Sequence, residues 1–143
     1  MKIKKNLFKK RKKAKMYVLQ SMYIWTFNDI EINKIKYNLL LNKNFNKIDI
    51  NYFDKLLYGI INKLSLIDKF IMKYGYNKIY DISVIELNII RIAVFEFIFC
   101  TFIPYKVVIS EALLLNKIFG ADLGYIFVNK MLDSIIKKIK LII

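Results

Sequence analysis

The chain has 143 residues, 57% of them apolar, with only four glycines and one proline; that is enough for one domain with a real core, built of helices on short loops rather than many strands and turns. The formal charge of +14 is uneven: the first fifteen residues hold nine of the 25 Lys and Arg and no acid, leaving 16 bases against 11 acids in the rest. The lack of histidine and the single cysteine, Cys100, exclude Ser-His and Cys-His nucleophile pairs, a thiolate metal cluster and an internal disulfide, and fit a reducing cytoplasm.

In chain order, the basic opening MKIKKNLFKKRKKAK runs without Gly or Pro into an amphipathic stretch. It predicts a basic tail over residues 1–8 and a first helix over about residues 8–27. At about 100° per position, Leu7, Ala14, Val18, Ser21, Met22 and Trp25 share one arc, the packing face. Lys9, Lys12, Lys13, Met16, Gln20 and Tyr23 share the opposite one. Asn28-Asp29 offers N-cap chemistry for a second helix near Glu31 to Leu41, and the polar run Asn42 to Lys47 reads as a loop. Asp49 caps a third helix from about Asn51 to Tyr74, closed by Gly75; Gly59 inside it lowers helicity by about 1 kcal/mol relative to Ala and marks close approach of a neighbour.

Ser83 and Glu86 form an S-x-x-E capping box, with Ile82 and Leu87 as a hydrophobic staple, and open a fourth helix to about Phe99. Thr101-Phe102-Ile103-Pro104 ends it, since Pro cannot continue a helix. A fifth helix, about Tyr105 to Phe119, is apolar nearly all round except at Ser110 and Lys117, which predicts a central position. Gly120 sits as a C′ residue, and Asp122 caps a last helix to about Lys140. The expected fold is all-α, a single compact domain.

The run from Ile82 to Ile103 is long enough to span a bilayer. It contains Glu86, Arg91 and Glu96, each costing a few kcal/mol on insertion, and therefore reads as a buried core helix. The basic N-terminus lacks a continuous apolar region and a small-residue cleavage site, so it does not read as a signal peptide. The four glycines are scattered and form no phosphate loop. Asp29 and Glu31 read as helix-start residues, and Cys100 as a small buried apolar side chain. Neither catalysis nor a cofactor or metal is expected. Binding remains. The Lys9–Tyr23 face joins cations, an amide and a ring, the combination that single-stranded RNA needs. An anionic membrane surface, or an ordinary solvated face made Lys-rich by a biased composition, would accept the same face.

RKKAK followed by Gln20, Tyr23, Trp25 and Asn28-Asp29 resembles the opening of the NusB transcription antitermination family, RR-x-A-R, then Q, LY and often ND. Further on, DINYFDKLLYGI at 49–60, IIRIAVFE at 89–96, IPYKVVISEALLLNKIFGA at 103–121 and FVNKMLD at 127–133 are similar to family segments in the same order. The resemblance implies about six to seven helices in two packed sub-bundles, with the NusB-like RNA-binding domain at 9–140. It implies binding of boxA RNA together with the ribosomal protein NusE, and action on elongating RNA polymerase with other Nus factors on ribosomal RNA operons in the cytoplasm, without a membrane. The family's arginine-rich motif maps onto Arg11, Lys12, Lys13 and Lys15, its RNA-side Gln and Tyr onto Gln20 and Tyr23, and its last-helix Phe and Asn onto Phe127 and Asn129. With Lys9 these make the expected RNA-binding set. Glu86 falls near the surface for the ribosomal partner, although the capping box explains it equally well.

The chain departs from the family where most motif arginines are Lys, losing bidentate contacts, and at Lys130, Ser110 and Leu123. About five neutralised phosphates predict a slope near −3.5 for log affinity against log salt. A NusB-like domain also opens certain ribosomal RNA cytosine methyltransferases. That alternative needs a following catalytic domain with a cofactor loop and reactive cysteines, and this chain ends at Ile143. A non-catalytic basic helical protein at anionic surfaces is the other alternative.

Overall fold

A computed structural model describes residues 2–75 and 79–142, with the side chains of these stretches from Phe8 to Leu141. Among the described residues there is no strand. The helices are α1 (Lys2–Phe27), α2 (Ile32–Leu40), α3 (Ile50–Asn62), α4 (Leu64–Tyr74), α5 (Val84–Phe99), α6 (Tyr105–Phe119) and α7 (Gly124–Ile142), with 3₁₀ turns at Phe45–Lys47 and Ile79–Asp81. The chain divides into two compact units, residues 1–59 and 60–143.

In the first unit, α1 begins at Lys2, earlier than the periodicity predicted. Nothing between Lys2 and Leu7 breaks a helix, and Lys and Leu are good helix formers. Asn28 closes α1 instead of capping α2: its N–H and its Nδ2 both donate to the Ile24 carbonyl at 3.0 Å. The N-cap of α2 is Glu31, without a side-chain cap bond. The expected loop forms, and Asn42 Oδ1 accepts the Asn44 N–H at 2.9 Å, an Asx turn. Its tip carries the wholly buried Phe45, whose ring meets Tyr17 edge-on at 5.3 Å and Phe53 at 4.9 Å. Asp49 caps α3 as expected, its Oδ1 accepting the Tyr52 N–H at 3.0 Å. Lys36 pairs with Asp54 at 2.7 Å, and the Tyr58 hydroxyl donates to Asn33 Oδ1 at 2.6 Å, tying α2 to α3.

The long third helix of the sequence reading is two helices. Lys63, at φ −107° and ψ 16°, leaves the α region between α3 and α4. No Gly or Pro marks the break, so periodicity carried straight through it.

In the second unit α5 is central, where α6 was expected to be. From Leu87 to Phe97 every residue of α5 except Arg91 is buried, and α4, α6 and α7 all pack on it. Only Val108, Glu111, Ala112, Leu115 and Asn116 of α6 are buried, and Ile118 is exposed. Apolarity alone misled here, because a helix can present Leu and Ile to solvent while its neighbour takes the middle. The start of α5 is as read from sequence: Ser83 Oγ accepts the Glu86 N–H at 3.3 Å, and Ile82 and Leu87 are both buried. Arg91 reaches α4 with a fork, Nε to Asp68 Oδ1 and Nη2 to Asp68 Oδ2, both at 2.9 Å. No helix among the described residues is long and apolar enough to cross a membrane.

Candidate nucleic-acid interface

On α1 the two faces sort as the periodicity predicted. Ala14, Val18, Ser21 and Met22 are buried and Trp25 half-buried, while the Leu7 side chain lies outside the described residues. Opposite them Lys9, Lys13 and Gln20 are exposed, Lys12 and Met16 half-buried, and Tyr23 is 45% exposed. The Tyr23 ring leans on Phe27, centroids 4.7 Å apart, which holds it in place at the surface. Arg11 is half-buried, with its guanidinium 5.7 Å from the centroid of the Phe8 ring.

Lys15 stands apart from the rest of the expected set. It is 1% exposed, among the largest fully buried side chains. Val18, Leu19 and Met22 stand three, four and seven positions after it, so Lys15 shares their stripe. A side chain withdrawn from solvent does not present its ammonium to a phosphate. The basic motif thus divides into exposed or half-exposed cations at Lys9, Arg11, Lys12 and Lys13, and a packed cation at Lys15.

A feature the sequence reading missed lies beside this face. A groove of about 350 Å³ is lined by Lys13, Met16, Tyr17, Gln20, Asn44 and Lys47. Three of these belong to the expected arc; Tyr17 lies beside it, and Asn44 and Lys47 come from the polar run that was read simply as a loop. The only available signal was that run's own basic and amide content, without an indication of which helix it faces.

The remaining expected residues belong to the second unit. Asn129 is exposed on α7 and Phe127 half-buried. Glu86, half-buried on the first turn of α5, lies against the start of α7, one turn before Phe127: a Cβ at Gly124 would stand 2.7 Å from Glu86 Oε1 and 2.9 Å from Asn116 Nδ2. A side chain at Gly124 would therefore displace the ends of the Glu86 and Asn116 side chains. Neither Nδ2 nor Oδ1 of Asn116 has a hydrogen-bond partner among the described residues, although the residue is 1% exposed.

Desolvation pushes the Glu86 carboxyl above the ordinary glutamate range. With the folded pKa raised, the group's contribution to stability is complete below the unfolded pKa and is lost as pH rises through the folded value. Glu86→Gln, which keeps the capping-box geometry, should match the parent at acidic pH and exceed it slightly at neutral pH. Denaturant melts across that range check this; a variant less stable at neutral pH would show that the charged carboxylate is stabilising.

Residues 12–137 match the NusB family. Among known proteins the chain is 38% identical to the transcription antitermination protein NusB of Colwellia psychrerythraea, covering 91% of this chain and 94% of the relative. It is 31% identical to that of Legionella pneumophila, covering 96% and 94%. A solved structure of T. maritima NusB superposes with a TM-score of 0.76 at 27% identity, over 93% of this chain and 97% of that one. With the helical order and these matches together, the chain belongs to the NusB family.

Proposed function

We propose that this chain is a non-catalytic, RNA-binding transcription antitermination factor. It binds boxA RNA together with the ribosomal protein NusE, and with other Nus factors acts on elongating RNA polymerase. The carrying observation is the α1 face, where Lys9, Lys13, Gln20 and Tyr23 are exposed along one line while the opposite stripe is buried. Cations neutralise phosphates, the amide reads a base edge and the ring stacks. Arg11 and Lys12 add charge beside that line. Phe127 and Asn129 are further RNA-side positions, and Glu86 serves the ribosomal partner.

With Lys15 set aside, the four α1 cations contribute about −2.8 to the slope of log affinity against log salt, at about 0.7 per phosphate. Binding of boxA and scrambled RNA, with and without NusE, is the test. Changing Lys12 and Lys13 together to Ala should weaken binding and flatten the slope by about 1.4 while leaving the melting temperature unchanged. Lys15→Ala should do the reverse, lowering stability with little change in slope. A slope near zero, or equal affinity for boxA and scrambled RNA in the presence of NusE, would overturn the reading.

A further inference from the structure

We propose that the groove lined by α1 and the 3₁₀ turn at Phe45–Lys47 holds one unstacked nucleotide of single-stranded RNA, with its flanking phosphates on Lys13 and Lys47 and its base edge on Gln20 and Asn44. The inference rests on the RNA-binding reading of α1 and extends it to residues that reading does not include.

Four observations carry it. The groove's volume of about 350 Å³ lies in the range of small-ligand sites. Its lining includes two ammonium groups and no carboxylate, so its charge suits an anion. It also presents two carboxamides, each both a donor and an acceptor, and no other protein group engages either of them among the described residues. Paired donors and acceptors are what an unpaired base edge offers and requires. Finally, the wall is prearranged. Tyr17 is held by the edge-on contact with Phe45 at 5.3 Å, and Phe45 is wholly buried. The Asx turn from Asn42 Oδ1 to the Asn44 N–H at 2.9 Å and the Lys47 N–H bond to the Asn44 carbonyl at 3.2 Å place the amide and the cation. A site ordered before binding loses less entropy when it is filled. The concavity disfavours a flat membrane surface, and the paired cations disfavour a basic peptide.

The test uses the full chain with a single-stranded boxA RNA, measuring affinity across a salt series. Lys47→Ala should weaken binding and lower the steepness of the salt dependence by about 0.7, the loss of one phosphate. Asn44→Ala removes a hydrogen bond and no charge, so affinity should fall about three- to tenfold with the slope unchanged. Both side chains are exposed and the Asx turn uses the side chain of Asn42, so the melting temperature should hold. Should Asn44→Ala disturb folding, Lys47→Ala carries the test. RNA carrying 4-thiouridine, irradiated in the complex, should crosslink to the peptides around Tyr17 and Asn44. Unchanged affinity and slope for both variants, with binding still lost on changing Lys12 and Lys13, would overturn the groove and leave the α1 reading intact. Wild-type binding by all of these variants would overturn both.

Discussion

Val18→Asp is expected to lower the melting temperature by about 10–20 °C or to prevent folding, from a loss on the order of 3–5 kcal/mol. Val18 is 0% exposed, with the buried Ala14 and Met22 one turn away on either side. A carboxylate there is withdrawn from water, so it remains charged at a high desolvation cost or takes up a proton. Loss of far-UV helicity and of the cooperative thermal transition would register the effect. Lys13→Asp, on the exposed side of the same helix, should leave the transition in place and abolish RNA binding. The pair separates fold from function on one helix. An unchanged melting temperature for Val18→Asp would refute the assignment of the core face.

The second large effect is expected at Arg91. Its fork onto Asp68, two bonds at 2.9 Å, is joined by an Nη1 bond to Asn88 Oδ1 at 3.1 Å. Side-chain exposure is only 13% for Arg91 and 23% for Asp68, so water replaces little of what is lost. Arg91→Ala strands the carboxylate and should cost about 2–4 kcal/mol. Arg91→Lys keeps the charge but cannot form the planar fork and should recover only part of this. Changing Arg91 and Asp68 together to Ala should cost less than the two single changes summed, because neither charge is then left unpaired. Additive losses in denaturant melts would mean that the two side chains stabilise α4 and α5 independently.

Much of the local structure was legible in the residues. Ser83 and Asp49 act as caps where their spacing to the following helices placed them, and Pro104 separates α5 from α6 at the expected point. Asn28 shows the limit of the same reasoning: an amide beside a helix end can serve either helix, and here it bonds backward to Ile24.

The candidate site divides along the same line. Amphipathic sorting on α1 depends on residues within two turns, so periodicity alone separated Lys9, Lys13, Gln20 and Tyr23 from Ala14, Val18 and Met22. Lys15 was placed by its alignment with a basic motif, against its own helical position among Val18, Leu19 and Met22, and the packing decided for position.

The all-α class, most helix ends and the two faces of α1 follow from sequence by itself, because capping, proline geometry and the helical repeat act over a few residues. The break at Lys63, the central place of α5, the burial of Lys15 and the approach of Asn44 and Lys47 to α1 were decided only by tertiary structure. Each depends on which surface packs against which, and composition within a single helix does not encode that.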